Sequence, residues 1–249
     1  MGNRTLSELS NMPSLSIQAS NTVLFLTFGY PEWTTFIELL RLFNRYGIGY
    51  VELGIPVQNS FADGEIIKKA NAHVLPILTR SKIIEGLKEI RAYFSFKMIL
   101  MTYKEGIDKY DLSSIDSTLF DSLLCVDECY PESVFPNTIR LFSNELSDQQ
   151  MIERAEKTSE FAYIISGKGK TGSQGTLQTE YISTINRLRK MTTKKKYVGF
   201  GIKTRDDVLS VLQNGADGVI VGSELMRHIN NGGVNAAEEY LQELGLTKC

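Results

Sequence analysis

The chain reads as an α/β protein: a (β/α)8 TIM barrel with extra helices, including an insertion after the second strand. Eight short apolar, β-branched runs alternate with longer segments of helical periodicity. The length, 249 residues, suits one barrel of about 250. The first strand run is followed by Phe28-Gly29-Tyr30-Pro31-Glu32, without the G-x-G-x-x-G fingerprint that an open dinucleotide-binding sheet carries there. No Ser/Gly/Pro-rich linker interrupts the chain, so residues 1–249 are read as a single barrel domain.

The predicted strands are Thr22–Phe28, Gly49–Gly54, Lys97–Tyr103, Phe120–Val126, Asn137–Phe142, Phe161–Ser166, Tyr197–Gly201 and Asp217–Gly222. After the first strand, Ile37, Leu40 and Phe43 mark a buried helix face that Leu39 and Leu42 widen. The stretch from Gly54 to Lys97 is too long for one crossover helix. It predicts a loop, an extra helix near Glu65–Leu75 and a second near Ser81–Phe94, where Ile83, Leu87 and Ile90 share a face. Late in the chain Val208, Leu209 and Leu212 mark a third face, and Thr204 ahead of Asp206 and Asp207 predicts that helix's start. Insertions on the strand-to-helix side of a barrel lie on the face where barrel enzymes do their chemistry.

Composition excludes several classes. Hydrophobic residues are 42% and charged residues 22%, the balance of a globular protein with a sizeable core. The formal net charge is -2, against the basic excess usual in nucleic-acid binders. Cys125, Cys129 and Cys249 make no disulfide framework, which predicts a reducing compartment. Residues 1–20 lack the apolar run of a signal peptide, and the longest apolar stretches are strand-sized. The expectation is a cytoplasmic protein with neither membrane nor nucleic acid as partner. His73 and His228 are two isolated histidines, and the cysteines lack zinc-like spacing, so no metal is predicted. Lys194-Lys195-Lys196, ahead of the seventh strand, reads as a solvated helix end at the bottom of the barrel.

Two constellations could carry chemistry. The first is Glu52-Leu53-Gly54-Ile55-Pro56 followed by Ala62-Asp63-Gly64. If Val51 and Leu53 face the surrounding helices, Glu52 faces the barrel interior near its upper rim. A carboxylate there is costly unless paired, neutral or used. Asp63, in the following loop, could reach the same cavity, and carboxylates in unlike environments can divide acid and base roles. A structural glutamate bonded to a neighbouring strand fits the position equally well. The second constellation is glycine-rich and lies at three successive strand ends: Ser166-Gly167-Lys168-Gly169-Lys170-Thr171-Gly172, Gly199-Phe200-Gly201, and Gly215 through Gly222-Ser223. Barrels often seat a phosphate between the last loops and the start of a short helix, here Ser223-Glu224-Leu225. Three glycine-bearing ends at those positions point to a phosphate rather than to ordinary tight turns. Gly169-Lys170-Thr171 is not the end of a P-loop, because the position that needs the first glycine is Ile164. Phe25, Leu100, Leu124, Tyr163 and Phe200 could line an apolar pocket at the upper rim, or be plain core.

The order Glu-Leu-Gly-Ile-Pro, Ala-Asp-Gly, Thr-Gly, Gly-Phe-Gly-Ile and Gly-Ser resembles the tryptophan synthase alpha chain family, from about Thr22 to Ile229. The resemblance implies a lyase that cleaves indole-3-glycerol phosphate to indole and glyceraldehyde 3-phosphate. It implies no cofactor in this chain, and a pyridoxal-phosphate-bearing beta chain as partner in an α2β2 complex. It assigns acid/base work to Glu52 and the indole N–H to Asp63. It maps phosphate contacts to Gly172, Gly201, Gly222 and Ser223, and the ring pocket to Phe25, Leu100, Leu124, Tyr163 and Phe200. Thr171, which helps align the acidic loop in that family, is present.

The departures lie in the loops. The family pattern Pro-Phe-Ser-Asp-Pro-Leu-Ala-Asp-Gly-Pro stands here as Pro56-Val57-Gln58-Asn59-Ser60-Phe61-Ala62-Asp63-Gly64-Glu65. Asn59 replaces an aspartate, and two prolines that would restrict the loop are gone. After strand six, Gly167 stands where the family has arginine and Lys170 where it has valine. Two expectations from different classes follow: a working lyase, or a weakly active or inactive alpha chain that mainly activates its beta partner. Another phosphate-binding barrel, such as a sugar-phosphate isomerase, is disfavoured by the Glu52–Asp63 spacing.

Overall fold

A computed structural model describes residues 17–166 and 179–249. Eight parallel strands, β1 (Thr22–Thr27), β2 (Tyr50–Gly54), β3 (Lys97–Thr102), β4 (Ser122–Cys125), β5 (Arg140–Phe142), β6 (Ala162–Ile165), β7 (Lys196–Gly199) and β8 (Gly218–Val221), run in the order β4-β3-β2-β1-β8-β7-β6-β5. The ring closes where Leu123 bridges Thr138, with the Leu123 N–H donating to the Asn137 carbonyl and the Ile139 N–H to the Leu123 carbonyl. That closure shortens the fifth strand relative to the run predicted from sequence. Residues 137–139 turn toward β4, and the ladder with β6 begins at Arg140.

The helices α1 (Trp33–Arg45), α2 (Glu65–Val74), α3 (Arg80–Tyr93), α4 (Lys104–Tyr110), α5 (Asp148–Lys157), α6 (Glu180–Met191), α7 (Arg205–Gln213) and α8 (Ser223–Glu243) accompany them. Ile37, Leu40 and Phe43 of α1 and Ile83, Leu87 and Ile90 of α3 are buried, as helical spacing requires. In α7 the buried pair is Val208 and Val211, with Leu209 and Leu212 half-buried, so this face is rotated from the one predicted. Thr204 caps α7: its side chain accepts the Asp207 N–H, and Asp207 returns the bond. The insertion after β2 supplies α2, placed as expected.

The lower end of the barrel is plugged by aromatic rings. Phe161 stacks on Tyr197 at 4.3 Å, and Tyr50 meets both edge-on. The lysine run below is only partly the solvated helix end expected. Lys196 belongs to β7 and is buried, and its ammonium donates to the Thr192 carbonyl. Lys194 donates to the Ser159 carbonyl. Two lysines thus tie the bottom loops to backbone carbonyls. With this end filled, space for a ligand remains at the opposite rim. Among the described residues, no helix is long and apolar enough to cross a membrane.

Candidate active site

Strand register decides what faces inward. Glu52 pairs with Phe25 on β1 and Ile99 on β3, and Ile99 pairs with Ser122 on β4. Paired residues of a parallel sheet share a face, so these four side chains enter the barrel. A cavity at the upper rim is lined by Phe25, Glu52, Asp63, Ile67, Met101, Tyr163, Phe200, Gly201, Ile220, Gly222 and Ser223, among others. It therefore joins the Glu52–Asp63 pair to the glycine-bearing ends of β7 and β8. Gly167, Lys168, Lys170, Thr171 and Gly172 lie outside the described residues.

Glu52 is 1% exposed, and its Oε1 is buried with no hydrogen-bond partner among the described residues. Burial without compensating donors disfavours the carboxylate and pushes its pKa up to about 8. At neutral pH Glu52 is therefore a protonated acid. Asp63 is also buried, which raises its pKa, but its surroundings counter the burial. Tyr103 Oη donates to Oδ1 at 3.1 Å, and Asn71 Nδ2 donates to Oδ2 at 3.1 Å. Donors to the charged form favour it. The two carboxyls thus occupy unlike environments: Glu52 Oε1 has no donor among the described residues and burial favours the neutral acid, whereas the Asp63 oxygens accept hydrogen bonds that favour the charged form. Burial, followed by the nearby charges of Glu52 and Asp63, drives the Tyr163 hydroxyl well above its ordinary pKa, so it stays protonated.

Local sequence explains the network around Asp63. Tyr103 follows β3 directly and is the N-cap residue of α4, which brings its hydroxyl over the acidic loop. Asn71 lies on the buried face of the insertion helix α2 and also takes a hydrogen bond from Thr27 Oγ1 at the end of β1. The inserted helix therefore positions Asp63 as well as covering the barrel.

The glycine-bearing ends form a second pole. Gly222 is the N-cap residue of α8, which kinks at Gly232–Gly233, and Ser223 opens the first part of that helix into the cavity. Ser223 Oγ is buried with no hydrogen-bond partner among the described residues. A helix N-terminus with a spare hydroxyl favours an anion such as a phosphate. Phe200 adopts φ +68, a left-handed backbone uncommon for a bulky residue, and Ser166 Oγ donates to its carbonyl. This turn presents the Phe200 ring edge-on to Tyr163 at 5.9 Å across the cavity.

Geometry sorts the residues mapped to the ring pocket. Phe25, Tyr163 and Phe200 line the cavity. Leu100 does not: it pairs with Leu53 and Leu123 on the outward face, while its neighbour Met101 points in. Leu124 pairs with Met101, which puts it on the inward face, and it is fully buried. Asn59 is exposed on the acidic loop. Among the described residues, no group of three or more His, Cys, Asp or Glu side chains is placed to hold a metal ion.

The Phe25 ring has room because Gly54 faces it. A Cβ at Gly54 would stand 2.5 Å from Phe25 Cζ. Gly54→Ala is expected to press the ring into the cavity, cost about 1–3 kcal/mol of stability, and raise KM more than it lowers kcat. Thermal melts and steady-state kinetics check this; an unchanged KM would contradict it.

A family model described as tryptophan synthase alpha chain matches residues 15–247. The chain is 30% identical over 224 residues to the tryptophan synthase alpha chain of Prochlorococcus marinus, covering 83% of each. It is 31% identical over 220 residues to that of Caldicellulosiruptor saccharolyticus, covering 84% of this chain and 86% of the other. Among solved structures it is similar to the tryptophan synthase A-subunit of Pyrococcus furiosus, with TM-score 0.79, 25% identity, and coverage of 92% of this chain and 98% of that one. It is also similar to a chain of the tryptophan synthase complex of Pyrococcus furiosus, with TM-score 0.76, 25% identity, and coverage of 91% and 96%.

Proposed function

This chain belongs to the tryptophan synthase alpha chain family, and we propose that Glu52 and Asp63 carry its reaction in the cavity at the upper rim. The family's reaction is cleavage of indole-3-glycerol phosphate to indole and glyceraldehyde 3-phosphate, in partnership with a beta chain, within tryptophan biosynthesis. The bond to break joins indole C3 to a carbinol carbon. Indole is a poor leaving group until C3 is protonated, because only the resulting indolenine accepts the bonding electrons.

The buried Glu52 carboxyl, with an oxygen that has no partner among the described residues, is the observation that carries the assignment. It holds a proton at neutral pH and can deliver it to C3. Protonation places positive charge on the ring nitrogen, and Asp63, whose two oxygens accept hydrogen bonds from Tyr103 and Asn71, stabilises it through the indole N–H. The Glu52 carboxylate then takes the proton of the carbinol hydroxyl. The C3–carbinol bond breaks as that oxygen becomes an aldehyde, and the proton count returns to its start. Phe25, Met101, Tyr163 and Phe200 form the walls for the ring. Gly201, Gly222, Ser223 and the α8 N-terminus seat the phosphate. The reading needs no cofactor in this chain, and we place the protein in the cytoplasm, where its three free thiols remain reduced.

Purified chain, alone and with its beta partner, is expected to release indole from indole-3-glycerol phosphate and to co-elute with the beta chain on a sizing column. Absence of indole under both conditions would refute the lyase reading.

A further inference from the structure

The acidic loop lacks the two prolines and the aspartate of the pattern it resembles, yet it is anchored from outside. The backbone N–H groups of Gln58 and Asn59 donate to the two carboxylate oxygens of Glu105, at 2.8 and 3.0 Å. Glu105 lies in the first turn of α4. Further along, the Ala62 N–H donates to Tyr103 Oη at 3.2 Å, and Tyr103 Oη donates to Asp63. The start of α4 therefore grips the loop on both sides of Ser60. Its own position is fixed by Asp127, whose Oδ1 accepts the Lys104 N–H at 2.8 Å. Gly106 lets the start of α4 pack closely, since a Cβ there would stand 2.1 Å from Thr102 Oγ1 at the end of β3 and 3.0 Å from Val57 Cγ1. A carboxylate that takes two consecutive backbone N–H groups makes charge-assisted bonds and fixes two peptide planes at once.

We propose that Glu105 is a positioning residue: by clamping the N–H groups of Gln58 and Asn59 it holds the acidic loop so that Asp63 meets the indole N–H. The proposal rests on the lyase reading above.

Glu105→Gln keeps the shape but turns one acceptor into a donor that faces a backbone N–H. Glu105 is half-buried, outside the core, so the variant keeps the fold. Two readouts test it. Hydrogen exchange at residues 57–62 should quicken about 10-fold, because local opening no longer breaks the clamp. Indole release should lose about 10-fold in kcat/KM, the order expected for one charge-assisted hydrogen bond. In an Asp63→Asn background the same change should cost less than about 2-fold, since residues that act through one another are non-additive. Wild-type exchange together with wild-type kcat/KM would overturn the proposal. An equal loss in both backgrounds would overturn the route through Asp63. A wild-type chain that releases no indole refutes the lyase reading instead, and the exchange experiment then decides the clamp by itself.

Discussion

Glutamine in place of Glu52 is expected to lower kcat/KM for indole release by about 10²–10⁴-fold with the fold unchanged. Glutamine matches glutamate in shape and fills the same inward position beside Phe25 and Ile99. It cannot deliver a proton to C3 or accept one from the carbinol hydroxyl. The remaining rate would come from Asp63 and from binding alone. Steady-state kinetics with the beta chain present, alongside a circular dichroism spectrum, measures this. A Glu52→Gln enzyme within a few-fold of wild type would remove Glu52 from the reaction.

The same substitution should stabilise the protein, and by an amount that depends on pH. Burial raises the Glu52 pKa from 4.5 to about 8. The unfolded chain therefore loses this proton near pH 4.5, whereas the folded chain keeps it until about pH 8. Between those values the unfolded state binds fewer protons, so wild-type stability falls as pH rises, by about 1.4 kcal/mol per pH unit. The Glu52→Gln variant has no proton to lose there, so its stability escapes this slope. The stability difference between variant and wild type should grow from pH 5 to pH 8 and level off above, amounting to a few kcal/mol. Urea melts of both proteins across that range test it. A difference that stays constant with pH would mean that Glu52 titrates normally in the folded state. Stability sacrificed at a reacting group is a common trade in enzymes.

The barrel is legible in the sequence because each strand is a short apolar run and each helix repeats its buried face every three or four residues. Glu52 is legible because a charge inside the apolar run Tyr50–Gly54 breaks the expected pattern. Leu100 shows where that legibility ends. Barrel strands are buried on both faces, so Ile99, Leu100 and Met101 read alike, and only the register with Gly54 and Leu124 shows that Met101 faces the cavity. Tyr103 and Asn71 carry no such mark. Tyr103 is an ordinary strand-end aromatic in sequence and reaches Asp63 across 40 positions. Asn71 is one polar residue on an insertion helix. Glu105 is hidden for the same reason: its partners are backbone N–H groups 46 and 47 positions away, and backbone groups leave no trace in the residue pattern. Ser223, by contrast, follows the last strand directly, and its place at a helix start is readable locally.

The proposed chemistry turns on Glu52 entering the reaction as a neutral acid. The pH dependence of kcat/KM for indole release, followed from pH 7 to pH 9.5 with the beta chain present, puts that to the test. A plateau is expected at the lower end, then a fall of slope one above about pH 8, as Glu52 loses its proton in the free enzyme. A rate that rises steadily with pH across this range would show that the ionised carboxylate is the active form, and would contradict the neutral-acid role.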